Sequence, residues 1–258
     1  MTGHSGFAPT GHSVAMPPSI ALAWLEPLRA LGEFAGLFVT APMLMTASRG
    51  DGHSVLVLPG FNATDLSTAC LRGYLTYMGY RSEEWSLGRN LGYRTLGKAQ
   101  ERLRHRVEEV AAASGKKISL IGWSLGGVMA RQMAREHPEL VRQVITLGAP
   151  FTGDPRATSI RSYYEWTSGE QLDAPESRQA WEANRAAPTV PTTSIYSRSD
   201  GITAWRNCLE EETATAENIE IVSSHIGLTI NPMALYVVAD RLAQSEANWR
   251  PYAAKSAT

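Results

Sequence analysis

The chain has 258 residues, 24 of them basic and 25 acidic, which suits one large α/β domain or two small ones. Its near-zero net charge, with no basic block or stripe, excludes an electrostatic case for nucleic acid. Two cysteines, Cys70 and Cys208, are too few for a disulfide framework and form no Cys-x-x-Cys pair. That argues against zinc and redox chemistry; a single bridge stays open, and two buried or half-buried thiols are the simpler expectation.

Residues 1–18, rich in Gly, Ser, His and Pro, read as a disordered leader in which His4 and His12 are solvated. The stretch lacks the basic start and apolar run of a secretory signal, so a cytoplasmic location is expected. The remainder, 19–258, reads as one domain. Ser19 is placed to cap a helix from Ile20 to Val39, whose apolar character continues to about residue 47. Glu26, Arg29 and Glu33 interrupt it, and Pro27 is expected to bend it or confine it to a first turn. Three charges argue against a membrane span. The segment is expected to pack on the domain, with an interfacial membrane helix or a homo-oligomer contact as alternatives.

Val55 to Leu58 is a run of four β-prone apolar residues, as a strand buried on both faces requires, and it ends in the loop Pro59-Gly60-Phe61. A helix is expected from about Asn62 to Met78 and a second strand over 80–87. A long amphipathic helix capped by Thr95 should reach about Ala113. A third strand, Ile118 to Gly122, meets Gly122-Trp123-Ser124-Leu125-Gly126, and a helical pattern follows to Glu136. Strand, tight turn and helix around Gly-x-Ser-x-Gly is the context of a nucleophile elbow, which lifts the serine hydroxyl off the sheet at a helix N-terminus. Val141 to Leu147 is another buried strand. From Phe151 to Thr189 the strand pattern stops, and two short helices are expected near 160–167 and 176–184. This excursion suits a small helical cap, with Tyr163 and Trp166, beside Trp123, as candidate substrate contacts. Strands are expected again at 190–197 and 219–222, followed by a final helix from Met233 to about Gln244.

Three polar residues stand on loops after strands, in the order Ser124, Asp200, His225. A serine hydroxyl needs a base within hydrogen-bond reach, and that base needs a carboxylate to fix its tautomer. His225 is the only histidine beyond His137; His53, His105 and His137 read as structural or solvated. Asp154, Asp173 and Glu210 to Glu212 rival Asp200, which is preferred because it directly follows a strand and precedes Gly201. Backbone N–H groups of Leu125 and Phe61 are the expected oxyanion donors.

Together these motifs, with Leu147-Gly148-Ala149-Pro150-Phe151 after the elbow helix, resemble α/β-hydrolases of the bacterial esterase and lipase type over roughly Ser54 to Gln244. The resemblance implies a mostly parallel sheet flanked by helices, and ester hydrolysis through an acyl-serine without metal or organic cofactor. Pro59-Gly60 replaces the His-Gly common at the lipase oxyanion loop. The expected activity is therefore hydrolysis of short- to medium-chain acyl esters. Acyl transfer to an alcohol or amine, a true lipase, thioester or amide cleavage, and a non-catalytic binding protein are the alternatives.

Overall fold

The computed structural model describes residues 16–97, 100–152, 154 and 156–252. The leader expectation for residues 1–15, with His4 and His12, lies outside them, as do Lys98 and Ala99. Helix α1 (Ile20–Leu44) precedes β1 (Ser54–Leu58), α2 (Ala69–Tyr77) and β2 (Arg81–Glu84). A single turn, α3 (Tyr93–Leu96), then leads into α4 (Glu101–Ser114), β3 (Ile118–Trp123), α5 (Leu125–Glu136) and β4 (Val141–Leu147). Helices α6 (Arg161–Ser168) and α7 (Pro175–Arg185) separate β4 from β5 (Thr192–Tyr196); β6 (Ala216–Glu220) and α8 (Pro232–Leu242) close the fold.

The six strands are all parallel, in the order β2-β1-β3-β4-β5-β6. Parallel pairing forces a crossover after each strand, and the crossovers cover both faces of the sheet. Strand alternation divides the core accordingly. Val55, Val57, Ile121 and Ile145 pack with Leu71, Leu75, Val237 and Val238 of α2 and α8. Leu56, Leu58, Leu120 and Val144 pack with Leu103, Val107, Met129 and Met133 of α4 and α5.

Several expected elements differ in extent: the helix expected from about Asn62 is a 3-10 turn at Asp65–Thr68 followed by α2, and the strand expected over 80–87 is the four residues of β2. The single helix from Thr95 is split, because Gly97 adopts φ +81° and ends the first turn before α4 begins. The last strand begins at Ala216, three residues earlier than the apolar Ile219, since Ala216 pairs in register with Thr192. Helix α1 runs unbroken through Pro27 and Pro42. Polar contacts on both sides of Pro27 hold it: Gly201 N–H donates to Glu26 Oε1 (2.8 Å), and Arg29 Nη1 donates to the Ser199 carbonyl (2.6 Å).

Helix α1 also docks the opposite way from an ordinary surface helix. Glu26 is 1% exposed, whereas Trp24 is 81% and Phe38 74% exposed. The charges that look like interruptions of an apolar helix form its docked face. Among the described residues no helix is long and apolar enough to cross a membrane. Cys70 and Cys208 are both free thiols.

Arg131 on α5 is fully enclosed. Its guanidinium forks onto Glu210 (Nε to Oε1 2.6 Å, Nη2 to Oε2 2.8 Å), lies over the Phe151 ring at 3.7 Å, and donates to the Asn184 carbonyl of α7. This pair ties the elbow helix to the segments after β4 and β5. Removing one partner strands a buried charge, so Glu210→Ala is expected to cost about 3–5 kcal/mol in urea unfolding. Exposed Glu212→Ala should stay within about 0.5 kcal/mol. Equal midpoints for the two variants would refute this role.

Candidate active site

Ser124 sits between β3 and α5 with φ 54° and ψ −123°, a conformation outside the ordinary regions for a residue with a side chain. The turn is held from both sides. A Cβ at Gly122 would overlap the Gly126 carbonyl and Gly127 Cα, and one at Gly126 would lie 2.5 Å from the Leu58 carbonyl oxygen. The Ser124 amide donates to the Leu147 carbonyl at 2.8 Å, anchoring the serine to the end of β4. Leu125 is the first residue of α5, so its N–H has no carbonyl one turn back to bond within the helix.

Asp200 and His225 occupy the loops after β5 and β6 and are 3% and 4% exposed. Asp200 Oδ1 accepts the amides of Ile202 (2.8 Å) and Thr203 (2.7 Å), which fixes the carboxylate. Its Oδ2 lies 2.6 Å from His225 Nδ1. A carboxylate only accepts, so Nδ1 carries the proton and Nε2 is left as the basic nitrogen. Burial by itself pulls the His225 pKa down; the charge and hydrogen bond of Asp200, with a contribution from Glu26, more than reverse this, so the pKa is raised. Trp123, the neighbour of Ser124, donates its indole N–H to the His225 carbonyl at 2.9 Å. The two rings lie 5.8 Å apart. The ends of β3, β5 and β6 are thereby brought to one edge of the sheet, where open α/β folds bind ligands.

The rivals of Asp200 are engaged elsewhere. Asp154 pairs with Arg156 at 2.7 Å, Asp173 with Arg161 at 2.5 Å, and Glu210 with Arg131. Glu211 and Glu212 are exposed.

A second trio of the same residue types lies near the opposite end of the strands. Asp51 Oδ1 is 2.5 Å from His53 Nδ1, and His53 Nε2 is 2.7 Å from Ser119 Oγ. Ser119 is wholly enclosed within β3, so no substrate reaches its hydroxyl. Burial pulls the His53 pKa down, opposing the charged form. This trio is a structural link; His105, by contrast, is exposed.

A cleft with about 530 Å³ of empty space opens beside Ser124, lined by Phe61, Leu125, Tyr164, Leu172, Trp181 and Ile202 among others. Phe61 and Leu125, the expected oxyanion donors, thus flank the same space as the serine. The three expected substrate contacts fall elsewhere. Trp166 is 81% exposed, Tyr163 is 45% exposed, meeting the Phe61 ring and accepting a hydrogen bond from the Asn62 side-chain amide, and Trp123 packs beneath the loops. On so short a helix as α6 the sequence does not set the phase, and Tyr164 is the residue turned inward, 4.7 Å from the Phe61 ring.

Sequence reasoning also missed Asn90. It is buried and holds the 59–63 loop at three points: its side-chain amide donates to the Pro59 carbonyl (2.8 Å), its backbone N–H to Ala63 (2.9 Å), and its carbonyl accepts from Asn62 (2.7 Å). An asparagine in a turn-rich stretch carries no signal of that role.

Residues 93–180 match the family described as the alpha/beta hydrolase fold. A triacylglycerol lipase from Burkholderia plantarii is 30% identical over 154 residues, 55% of this chain and 42% of the lipase. A pimeloyl-(acyl-carrier protein) methyl ester esterase from Aeromonas hydrophila is 42% identical over 53 residues, 20% of this chain and 21% of the esterase. The chain thus spans less than half the length of these curated relatives. Among solved structures, the monoacylglycerol lipase of Paleococcus ferrophilus superposes with a TM-score of 0.54 at 13% identity, covering 75% of this chain and 96% of the lipase.

The geometry around His225 makes a prediction independent of turnover. Its ring, assigned in NMR spectra by its loss in His225→Asn, should titrate above the ordinary histidine value of about 6.5. Asp200→Asn should bring it to lower pH. A ring that titrates identically with and without the carboxylate would contradict the pairing.

Proposed function

We propose that this chain, which has the α/β-hydrolase fold and is similar over part of its length to a lipase and an esterase, is a serine carboxylesterase acting on short- to medium-chain acyl esters through Ser124. The observation that carries the reading is the Asp200–His225 pair, fixed at 2.6 Å on the same sheet edge as the strained serine and its apolar cleft. In the first half-reaction Ser124 Oγ attacks the ester carbonyl and its proton passes to His225 Nε2. The oxyanion is held by the N–H groups of Phe61 and Leu125. Collapse breaks the bond to the alkoxy oxygen, which takes the proton from His225, leaving acyl-Ser124 and free alcohol. Water then attacks the acyl carbon, His225 takes its proton and returns it to Ser124, and the carboxylic acid departs.

The apolar lining from Leu172, Trp181 and Ile202 supports an acyl group in the cleft, and Pro59-Gly60 at the oxyanion loop supports an esterase over a lipase. On p-nitrophenyl esters from acetate to palmitate, turnover should peak at short to medium chains. Ser124→Ala should lower kcat by about 10⁶-fold with the fold retained. A palmitate peak would favour a lipase, and ester exchange dominating over hydrolysis with added alcohol would favour an acyltransferase. Full activity in Ser124→Ala would refute the mechanism.

The outward row of Trp24, Leu28, Leu31 and Phe38 supports contact with a lipid–water interface beside the site. The chain should sediment with neutral phospholipid vesicles and lose that binding in Trp24→Glu/Phe38→Glu. Unbound wild-type chain, or a dimer broken by the same substitutions, would contradict membrane contact.

A further inference from the structure

We infer that Glu26 is a positioning residue, whose two carboxylate oxygens clamp the acid loop and the histidine loop in register with each other. The inference rests on the roles proposed above for Asp200 and His225. Glu26 Oε1 accepts the Gly201 N–H at 2.8 Å and Oε2 accepts the Ile226 N–H at 2.9 Å. These amides belong to the residues immediately after Asp200 and His225. One side chain from a distant part of the chain therefore spans the two members of the hydrogen-bonded pair.

The surroundings are built for this contact. Arg29 Nη1 lies 3.5 Å from Glu26 Oε1 and binds the Ser199 carbonyl at 2.6 Å, while Nη2 reaches the Ser223 carbonyl at 2.8 Å. Glu33 accepts the Ser224 amide at 2.6 Å and its hydroxyl at 2.8 Å. α1 approaches so closely that a Cβ at Gly201 would lie 2.6 Å from the Leu22 carbonyl, and one at Gly227 would overlap Glu33 Oε2. The loops are also linked directly, Ser197 Oγ donating to the Ser223 carbonyl at 2.8 Å, but between residues that precede Asp200 and His225 in the chain. Burying a carboxylate carries a desolvation penalty that an apolar side chain would avoid. What Glu26 provides, and an apolar residue does not, is a fixed two-point acceptor and a negative charge near the imidazole.

That charge gives a readout that a simple brace would not move. The charged groups facing the two loops are Asp200 from the β5 end and Glu26, Arg29 and Glu33 from α1. Glu26 favours the imidazolium. Removing its charge should therefore move the His225 titration, and the acid limb of kcat/KM, to lower pH.

In the full chain, Glu26→Gln should lower kcat about 10- to 100-fold, as a small displacement of reacting groups does, with KM on p-nitrophenyl butyrate near the wild-type value. The His225 ring should titrate at lower pH in the same variant. Glu26→Asp retains the charge but is too short to reach both amides. It should keep the titration near wild type while kcat falls, and it serves as the test if Glu26→Gln does not fold. An unmoved His225 titration in folded Glu26→Gln, or a wild-type kcat in folded Glu26→Asp, overturns the inference. Undiminished turnover in Ser124→Ala would instead sink the proposed reaction, leaving the titration comparison to stand by itself.

Discussion

The backbone of α5 lies against the ends of β3 and β1 with no space for a side chain at Gly122 or Gly126, and this contact holds the turn that carries Ser124. A serine at positive φ is unfavourable in itself. It persists because the backbone of the sheet and of the elbow helix packs against the turn at Gly122 and Gly126. The strain is thus supported by the sheet edges and the elbow helix together. The result is a hydroxyl at the head of a helix, beside an apolar cleft, with the first amide of that helix unbonded within it.

The other two groups depend on a different kind of support. Asp200 and His225 lie on loops, which a sheet alone positions poorly. Here the loops are fixed at several levels: turn hydrogen bonds onto Asp200 Oδ1, the Trp123 indole on the His225 carbonyl, and the charged face of α1 across both. The helix turns its polar side chains inward because backbone amides of the loops are there to be satisfied. Trp24, Leu28, Leu31 and Phe38 are left outward as a consequence, while Ala30, Leu37 and Leu44 pack on the domain.

Much of this architecture is legible in the amino-acid sequence. Strands buried on both faces declare themselves by unbroken β-branched and leucine runs, and the ends of such strands are where chemistry sits in parallel sheets. Ser124, Asp200 and His225 follow from that logic together with the turn residues beside them. The legible part ends where helical phase or inverted polarity decides. Nothing in the sequence distinguishes Tyr164 from Tyr163 or Trp166 on a helix of two turns. The sequence leads one to expect α1 to pack on the domain but does not reveal that Glu26, Arg29 and Glu33 meet loop backbone there, because nothing in it anticipates unsatisfied loop amides as a docking surface. Asn90 is invisible for a similar reason: its role consists of hydrogen bonds made across the fold.

Covalent labelling distinguishes Ser124 from every other candidate nucleophile. A serine-directed fluorophosphonate, followed by peptide mass mapping, should place a single adduct on Ser124, and His225→Asn should slow its formation. Ser119, which also has a histidine and an aspartate in line, should remain unmodified, since it is sealed within the sheet. An adduct on Ser119 or on any other residue, with Ser124 free and ester turnover intact, would contradict the account.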